Sequence, residues 1–355
     1  MKKKILLTGG GSAGHVMPNM ALLPGLIDAG FEIHYIGTAD GIERELMEDC
    51  ENVIYHVISS GKLRRYFSWR NFTDPFKVIK GVFQSKRIIK EIKPAVVFSK
   101  GGFVSVPVVI AAHKKAPVIA HESDYTPGLA NRISAKFADR VCVSFEDTLQ
   151  FVGDKGVYTG SPIRPELLHG DPEGGRRFLG FSDSKPVLLV MGGSLGAAAI
   201  NEALTGALPK LLPVFNVVHL CGKGKCNPSV AYNGYVQREF IGSEMKDVFA
   251  CTELVISRAG ANAVFELLAL KKPAVFIPLP RSASRGDQIL NAAYFERKGY
   301  AMVVEQERLT ADTLVTAVTA LYANRDKFRD AIAKDPASNG TERVMEIILS
   351  ASGDK

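Results

Sequence analysis

The 355-residue sequence predicts an α/β protein built from two Rossmann-like domains with parallel sheets. Three observations carry that expectation. The chain is longer than one hydrophobic core usually serves, which favours two domains. Short β-branched runs alternate with helix-length segments almost throughout, the pattern of parallel strands covered on both faces by helices. One arrangement, a buried strand running into a glycine-rich turn and then a helix, occurs twice about 180 residues apart. It is Lys4 to Thr8 into Gly9-Gly10-Gly11-Ser12-Ala13-Gly14, and again Val187 to Met191 into Gly192-Gly193-Ser194-Leu195-Gly196.

In chain order, strands are expected at Lys4 to Thr8, Glu32 to Gly37, Val53 to Ile58, Ala95 to Ser99, Val118 to His121 and Arg140 to Ser144. The second half repeats the pattern at Val187 to Met191, Val214 to Leu220, Leu254 to Ser257 and Ala274 to Pro278. Pro24-Gly25 inside the first helical segment is expected to kink or interrupt it, because proline lacks the helical N–H. Two prolines in Gly160-Ser161-Pro162-Ile163-Arg164-Pro165 disfavour regular structure, so the domains are placed at residues 1–161 and 162–340. A final helix, 341–355, sets Val344, Ile347 and Ile348 on one apolar face and is a candidate to pack back on the first domain.

Composition removes several function classes. The longest apolar runs, such as Val104 to Ala112, fall well short of the roughly 18 residues a membrane helix needs. The basic start ends its apolar run at Thr8-Gly9, so no export signal is expected. Five cysteines, Cys50, Cys142, Cys221, Cys226 and Cys251, contain no C-x-x-C pair, which argues against a zinc site and a disulfide framework and for a reducing cytoplasm. The net charge of +7 favours an anionic partner.

The candidate chemistry sits in the turns. Glycines in Gly9 to Gly14 let the backbone approach a ligand, and the helix that follows offers unpaired N–H groups to an anion or a polar sugar, although a plain tight turn reads the same. His15 at that junction is a candidate general base, with a structural histidine as the alternative. No acidic residue ends the second strand to hold an adenosine ribose, which weakens a nicotinamide-cofactor reading. Gly192 to Gly196 offers amides and the Ser194 hydroxyl to a phosphate. The stretch from Ser257 to Glu266 opens a helix with small residues, Ala261, Asn262 and Ala263 ahead of Val264, whose amides suit a pyrophosphate. Glu266 then has the two acceptor oxygens that vicinal ribose hydroxyls need. Gln288 and Asn291 share a helix face suited to sugar hydroxyls. No D-x-D motif or metal-ligand cluster occurs, so no cofactor or metal is expected. Helix N-termini and Arg164 would neutralise a departing diphosphate.

The basic excess is concentrated between Lys62 and Lys93: ten cationic residues against Asp74 and Glu91, interleaved with Tyr66, Phe67, Trp69, Phe72, Phe76 and Phe83. Cations beside aromatics suit the headgroup layer of an anionic membrane, and no nucleic-acid motif accompanies them.

At these residues the chain resembles the MurG family of peptidoglycan N-acetylglucosaminyltransferases. The resemblance covers nearly the whole length. It rests on Gly10 to Pro18, Lys100 to Ser105, His121-Glu122-Ser123-Asp124, Gly160 to Arg164, Gly192 to Gly196, Arg258 to Glu266 and Asp287 to Asn291. It implies a GT-B type glycosyltransferase fold, two Rossmann-like domains whose sheets face across a cleft. It implies transfer of N-acetylglucosamine, with inversion, from UDP-N-acetylglucosamine to the C4 hydroxyl of MurNAc in undecaprenyl-pyrophosphoryl-MurNAc-pentapeptide, converting lipid I to lipid II at the cytoplasmic membrane face. By the same resemblance uracil lies along the backbone at Ile241, ribose meets Glu266, and the diphosphate meets Ser194 and the Ala261 to Val264 turn. Arg164, Gln288 and the Ser12-Ala13-Gly14 loop complete the donor site. Asp124 stands where the family often has asparagine, at a sugar contact. The rival readings are a UDP-N-acetylglucosamine 2-epimerase of related fold, needing neither lipid acceptor nor basic patch, and a UDP-sugar sensor without turnover.

Overall fold

The computed structural model describes residues 2–61, 70–193, 196–336 and 340–353, with the backbone alone for residues 70–73. The chain divides into two compact units, Met1–Arg164 together with Asn339–Lys355, and Pro165–Ser338. The first unit runs β1 (Lys4–Thr8), α1 (Met17–Asp28), β2 (Glu32–Gly37), α2 (Ile42–Glu48), β3 (Val53–Val57), α3 (Arg70–Ile92), β4 (Val96–Ser99) and α4 (Ser105–Ala112). It continues through β5 (Val118–Glu122), α5 (Leu129–Phe137), β6 (Arg140–Val143), α6 (Leu149–Val152) and β7 (Gly156–Tyr158). The second unit holds α7 (Pro172–Leu179), β8 (Val187–Met191), α8 (Ala198–Leu211), β9 (Asn216–Leu220), β10 (Tyr235–Arg238), α9 (Met245–Cys251) and β11 (Thr252–Ser257). After these come α10 (Ala261–Ala269), β12 (Ala274–Phe276), α11 (Asp287–Arg297), β13 (Ala301–Val303), α12 (Ala311–Ala323) and α13 (Arg325–Ala333), before α14 (Gly340–Ala351) rejoins the first unit.

All pairings are parallel, in the orders β3-β2-β1-β4-β5-β6-β7 and β10-β9-β8-β11-β12-β13. Both sheets are therefore doubly wound, with the strand order reversing between β1 and β4 and again between β8 and β11. In such sheets the loops leaving the carboxyl ends at the reversal point part and open a crevice. That topology places the two glycine-rich turns, after β1 and after β8, at equivalent positions.

Side-chain alternation along the strands builds the cores. In the first unit Ile5, Leu7, Ile33 and Phe98 face Leu22 and Leu26 of α1, while Leu6, Val97 and Val118 face α3 and α4 on the opposite side. In the second, Leu188, Val190, Leu254 and Ile256 pack on Leu204 and Leu208 of α8 and on Leu314 and Val318 of α12. Residues β8 187–190 are wholly buried, as strands covered on both faces must be.

Three strands escaped the sequence reading, β7, β10 and β13, and each is a sheet edge. Edge strands are short and carry half-exposed side chains, so their pattern is faint. The expected interruption at Pro24 does not occur: α1 runs from Met17 to Asp28 with Pro24 inside it. Pro24 lies on the solvent side, where water can satisfy the carbonyl it leaves without a partner, and Gly25 gives room for Met345 of α14. Val344 and Ile348 of α14 are wholly buried in the first unit's core, each contributing about 1.5–3 kcal/mol. The return is fixed at its start. The Ile163 amide donates to Thr341 Oγ1 at 2.8 Å, the Thr341 hydroxyl donates back to the Ile163 carbonyl at 2.9 Å, and Gly340 lies against the Ser161 backbone.

Candidate functional site

In the first unit the site is assembled at the β1/β4 reversal. Glycine-rich residues 9–11 leave β1, and Ser12, Ala13 and Gly14 are exposed as they enter a short 3₁₀ turn, Ala13–His15, that leads into α1. The turn is held from behind by Glu43, a fully buried residue of α2. Its carboxylate accepts the Gly11 amide at 3.1 Å, the Thr38 amide at 3.2 Å and the Thr38 hydroxyl at 2.6 Å. The Gly10 amide donates to the Gly101 carbonyl at 3.3 Å and the His15 amide to the Ser12 carbonyl at 3.0 Å. The Gly10, Gly11 and His15 amides are thus committed within the protein and make this part of the turn a preset scaffold for His15. Gly102 shows how close the packing is: at φ +82° its Cα faces the Gly10 carbonyl and the edge of the His15 ring, where any side chain would collide.

Asp124 sits at the end of β5 on a loop tied down by Glu122. That buried carboxylate accepts the Asp124 amide at 2.9 Å, the Gly128 amide at 3.1 Å and Asn131 Nδ2 at 2.9 Å. Burial, with Asp124 beside it, pushes the Glu122 carboxyl above its ordinary range. Arg164 is the last residue of the first of this unit's two segments and is half-buried.

In the second unit a pocket of about 420 Å³ opens at the β8/β11 reversal, walled by Gly192, Gly193, Gly196, Arg258, Gly260, Ala263 and Gln288 among others. Gly196 can be no other residue here: its φ is +66°, and a β-carbon would fall 1.9 Å from the Cys221 carbonyl. Gly260 caps α10 without a side-chain hydrogen bond, and Gly260 and Ala263 line the pocket, so the positive end of the α10 dipole borders it. Val264 is the exception in that segment. Its side chain is wholly buried and its amide makes the first helical bond to Gly260, so it holds the helix rather than a ligand. Glu266 lies three residues past Ala263 on the same helix face and is half-exposed. Gln288 accepts the Leu279 amide through Oε1 at 3.1 Å, which turns its NH₂ toward Gly260. Ile241 lies on the loop after β10. Ser194, expected to meet phosphate, lies outside the described residues.

The structure corrects one helix-face expectation and adds one residue. Asn291 is completely buried, its Nδ2 donating to the Ala259 carbonyl at 3.1 Å, so it ties α11 to the β11 turn instead of reading sugar hydroxyls. Arg258 lines the pocket although it is only 8% exposed. Its guanidinium donates to the carbonyls of Ile277 and Pro278 at 2.9 and 3.3 Å and to Gln306 Oε1 at 2.6 Å, all uncharged acceptors. Among the described residues no carboxylate pairs with this charge beside the pocket, and burial lowers its pKa. The one clue in the sequence was an arginine at the end of an apolar strand. Glu43 left no clue, because its partners come from two other loops.

On α3 the face toward the unit carries Gly81, Ser85, Ile89 and Ile92, while Phe76, Ile79 and Phe83 are 74%, 54% and 67% exposed. Positions 76, 79 and 83 fall on one stripe of a helix, flanked by exposed Lys77, Lys80, Lys86 and Lys90. The remaining aromatics of this patch, Tyr66, Phe67, Trp69 and Phe72, and Lys62, Arg64, Arg65 and Arg70 lie outside the described residues or side chains. Among the described residues no helix is long and apolar enough to cross a membrane.

Comparison with known proteins places both units. Residues 5–143 match the glycosyltransferase family 28 N-terminal domain and residues 187–347 the glycosyltransferase family 28 C-terminal domain. The chain is 53% identical over 349 residues, 98% of each chain, to the UDP-N-acetylglucosamine–N-acetylmuramyl-(pentapeptide) pyrophosphoryl-undecaprenol N-acetylglucosamine transferase of Clostridium botulinum strain Loch Maree. It is 53% identical to the protein of the same name from Clostridium perfringens, strain ATCC 13124, over 99% of each chain. Among solved structures it is similar to that of Acinetobacter baumannii MurG, with a TM-score of 0.79 at 28% identity over 98% of this chain and 99% of that one.

Proposed function

The chain belongs to glycosyltransferase family 28, with a fold of the GT-B type, and we propose that it is the N-acetylglucosaminyltransferase that converts lipid I to lipid II in peptidoglycan synthesis. The donor is UDP-N-acetylglucosamine and the acceptor is undecaprenyl-pyrophosphoryl-MurNAc-pentapeptide. The observation that carries the assignment to this site is the second-unit pocket, where the start of α10 and the buried Arg258 cation converge on one concave wall suited to a diphosphate.

In the proposed reaction the acceptor C4 oxygen attacks C1 of the donor sugar from the face opposite the diphosphate. The bond from C1 to the phosphate oxygen breaks, UDP leaves with the electron pair, and His15 takes the hydroxyl proton. Charge that builds on the diphosphate meets the α10 amides and Arg258, supplemented by Arg164 and the turn containing Ser194. Glu266 and the Ile241 backbone hold ribose and uracil. Ser12, Ala13, Gly14, Asp124 and Gln288 contact the sugars. No metal is needed in this scheme, a reading supported by the lack of a D-x-D motif in the sequence.

The acceptor's lipid requires work at a bilayer surface. The exposed stripe of Phe76, Ile79 and Phe83 with its flanking lysines supports peripheral docking of the first unit on the anionic cytoplasmic face.

The deciding assay mixes purified protein with labelled UDP-N-acetylglucosamine and a short-chain lipid I analogue in EDTA, and follows disaccharide product. Product that appears only with added divalent cation would overturn the metal-free scheme, and donor binding without any product would leave a sensor. If His15 is the base, His15→Ala lowers kcat about 100- to 10,000-fold. A loss under tenfold with intact donor binding removes it from that role.

A further inference from the structure

Lys100, which follows β4, is completely buried, and no step of the proposed reaction uses it. Its backbone and its ammonium reach two different parts of the acceptor-side site. Its amide donates to the Thr8 carbonyl at 2.9 Å and its Cβ packs on Gly9, while the next two residues, Gly101 and Gly102, receive the Gly10 amide and support the His15 ring. The ammonium donates to the Ser123 hydroxyl, next to the Glu122 carboxylate that ties the loop through Asp124 to Gly128.

An ammonium is a costly choice for a packing element, because burial strips it of water. Among the described residues, four titratable groups surround it: Glu122 and Asp124, whose charges favour its protonation, the Cys142 thiol, which does so weakly, and His121, kept neutral by burial and then by the Lys100 charge. Burial still wins and pushes Lys100 down to about 8. Since the unfolded chain binds this proton more tightly, the charged form destabilises the fold below that pH, and stability rises as pH climbs from about 8 toward 10.5. A buried charge that costs stability and bridges two loops of the site makes Lys100 a candidate functional group.

We propose that Lys100 is a positioning residue of the transfer reaction, its ammonium locking the Ser123 to Gly128 loop onto the Gly9 to His15 turn so that Asp124 and His15 keep a fixed spacing. This rests on the transferase reading above.

The test compares wild type, Lys100→Met, which keeps length and removes charge, and Ser123→Ala, which removes the ammonium's acceptor. Lys100→Met lowers kcat about 10- to 100-fold, the size expected for a misplaced reacting group, with UDP-N-acetylglucosamine affinity by calorimetry lowered no more than about threefold and a melting temperature equal to or above wild type. Wild-type kcat falls off above about pH 8. That alkaline limb is lost in Lys100→Met and moves to lower pH in Ser123→Ala, because the charged form loses a partner. The proposal is overturned if active wild type and Lys100→Met agree within threefold with one pH profile, or if Lys100→Met melts several degrees lower and binds donor at least about tenfold more weakly, which would make Lys100 a core filler. A wild type that binds donor but transfers nothing refutes the transferase reading itself.

Discussion

Glu43→Gln isolates the scaffold role of the first glycine turn. The carboxylate Oε1 accepts both Thr38 donors and Oε2 accepts the Gly11 amide, and the residue is completely buried. A glutamine of the same shape keeps one acceptor oxygen. With that oxygen serving Thr38, its NH₂ confronts the Gly11 N–H, donor against donor, and a buried amide left without an acceptor costs about 1–3 kcal/mol. For a unit of this size each kcal/mol lowers the melting temperature by about 2–4 °C, so the expected fall is about 2 to 12 °C. The turn that carries Ser12 to His15 also loses its anchor, and kcat should drop at least about tenfold. UDP-N-acetylglucosamine affinity should fall less than kcat, because the diphosphate pocket is built from second-unit residues and only the proposed sugar contacts of Ser12 to Gly14 are disturbed. Calorimetric melts, donor titration and steady-state transfer read the three outcomes. A melting temperature within about 1 °C of wild type and kcat within twofold would show that Glu43 does not hold the turn.

Arg258→Met should weaken UDP-N-acetylglucosamine binding about 10- to 100-fold, as the loss of a charge-assisted hydrogen bond implies, and unchanged affinity in calorimetry would take Arg258 out of the diphosphate site. Phe76→Glu with Phe83→Glu should cut co-sedimentation with anionic vesicles at least about tenfold, since each inserted phenylalanine contributes about 1.5–3 kcal/mol; unaltered binding would place the docking face elsewhere. His219, bonded to Tyr235 and Asn201, is held neutral by burial with its pKa lowered to about 4. The unfolded chain takes up that proton first, so stability falls as pH drops from about 6.5 to 4, by about 3 kcal/mol at full extent. Thermal melts of His219→Gln should lack most of that acid slope, and an identical slope would assign it to other groups.

The paired glycine turns, the buried central strands and the family motifs were legible in the sequence because each is a local pattern: an apolar run, a turn chemistry, a spacing. His15, Gln288 and the Ala261 to Ala263 helix start could be named for the same reason. Edge strands β7, β10 and β13 could not, since half-exposed side chains leave no clean alternation. Nor could the uses of Glu43, Lys100, Arg258 and Asn291, whose partners are brought to them from distant segments.

The sequence by itself determined the class of fold, the repetition of one α/β plan and the glycine-rich turns and helix start that are proposed to meet a nucleotide sugar. Tertiary structure decided which polar groups face a ligand and which are spent on holding the frame, as with the Gly11 amide taken by Glu43 and the Val264 amide taken by its own helix. It also decided that α14 returns to cover Leu22 and Leu26. The reason is the same in each case: a hydrogen bond or an apolar contact is satisfied by whatever lies within a few ångströms, and proximity between residues 11 and 43, or 22 and 344, exists only once the sheet has formed.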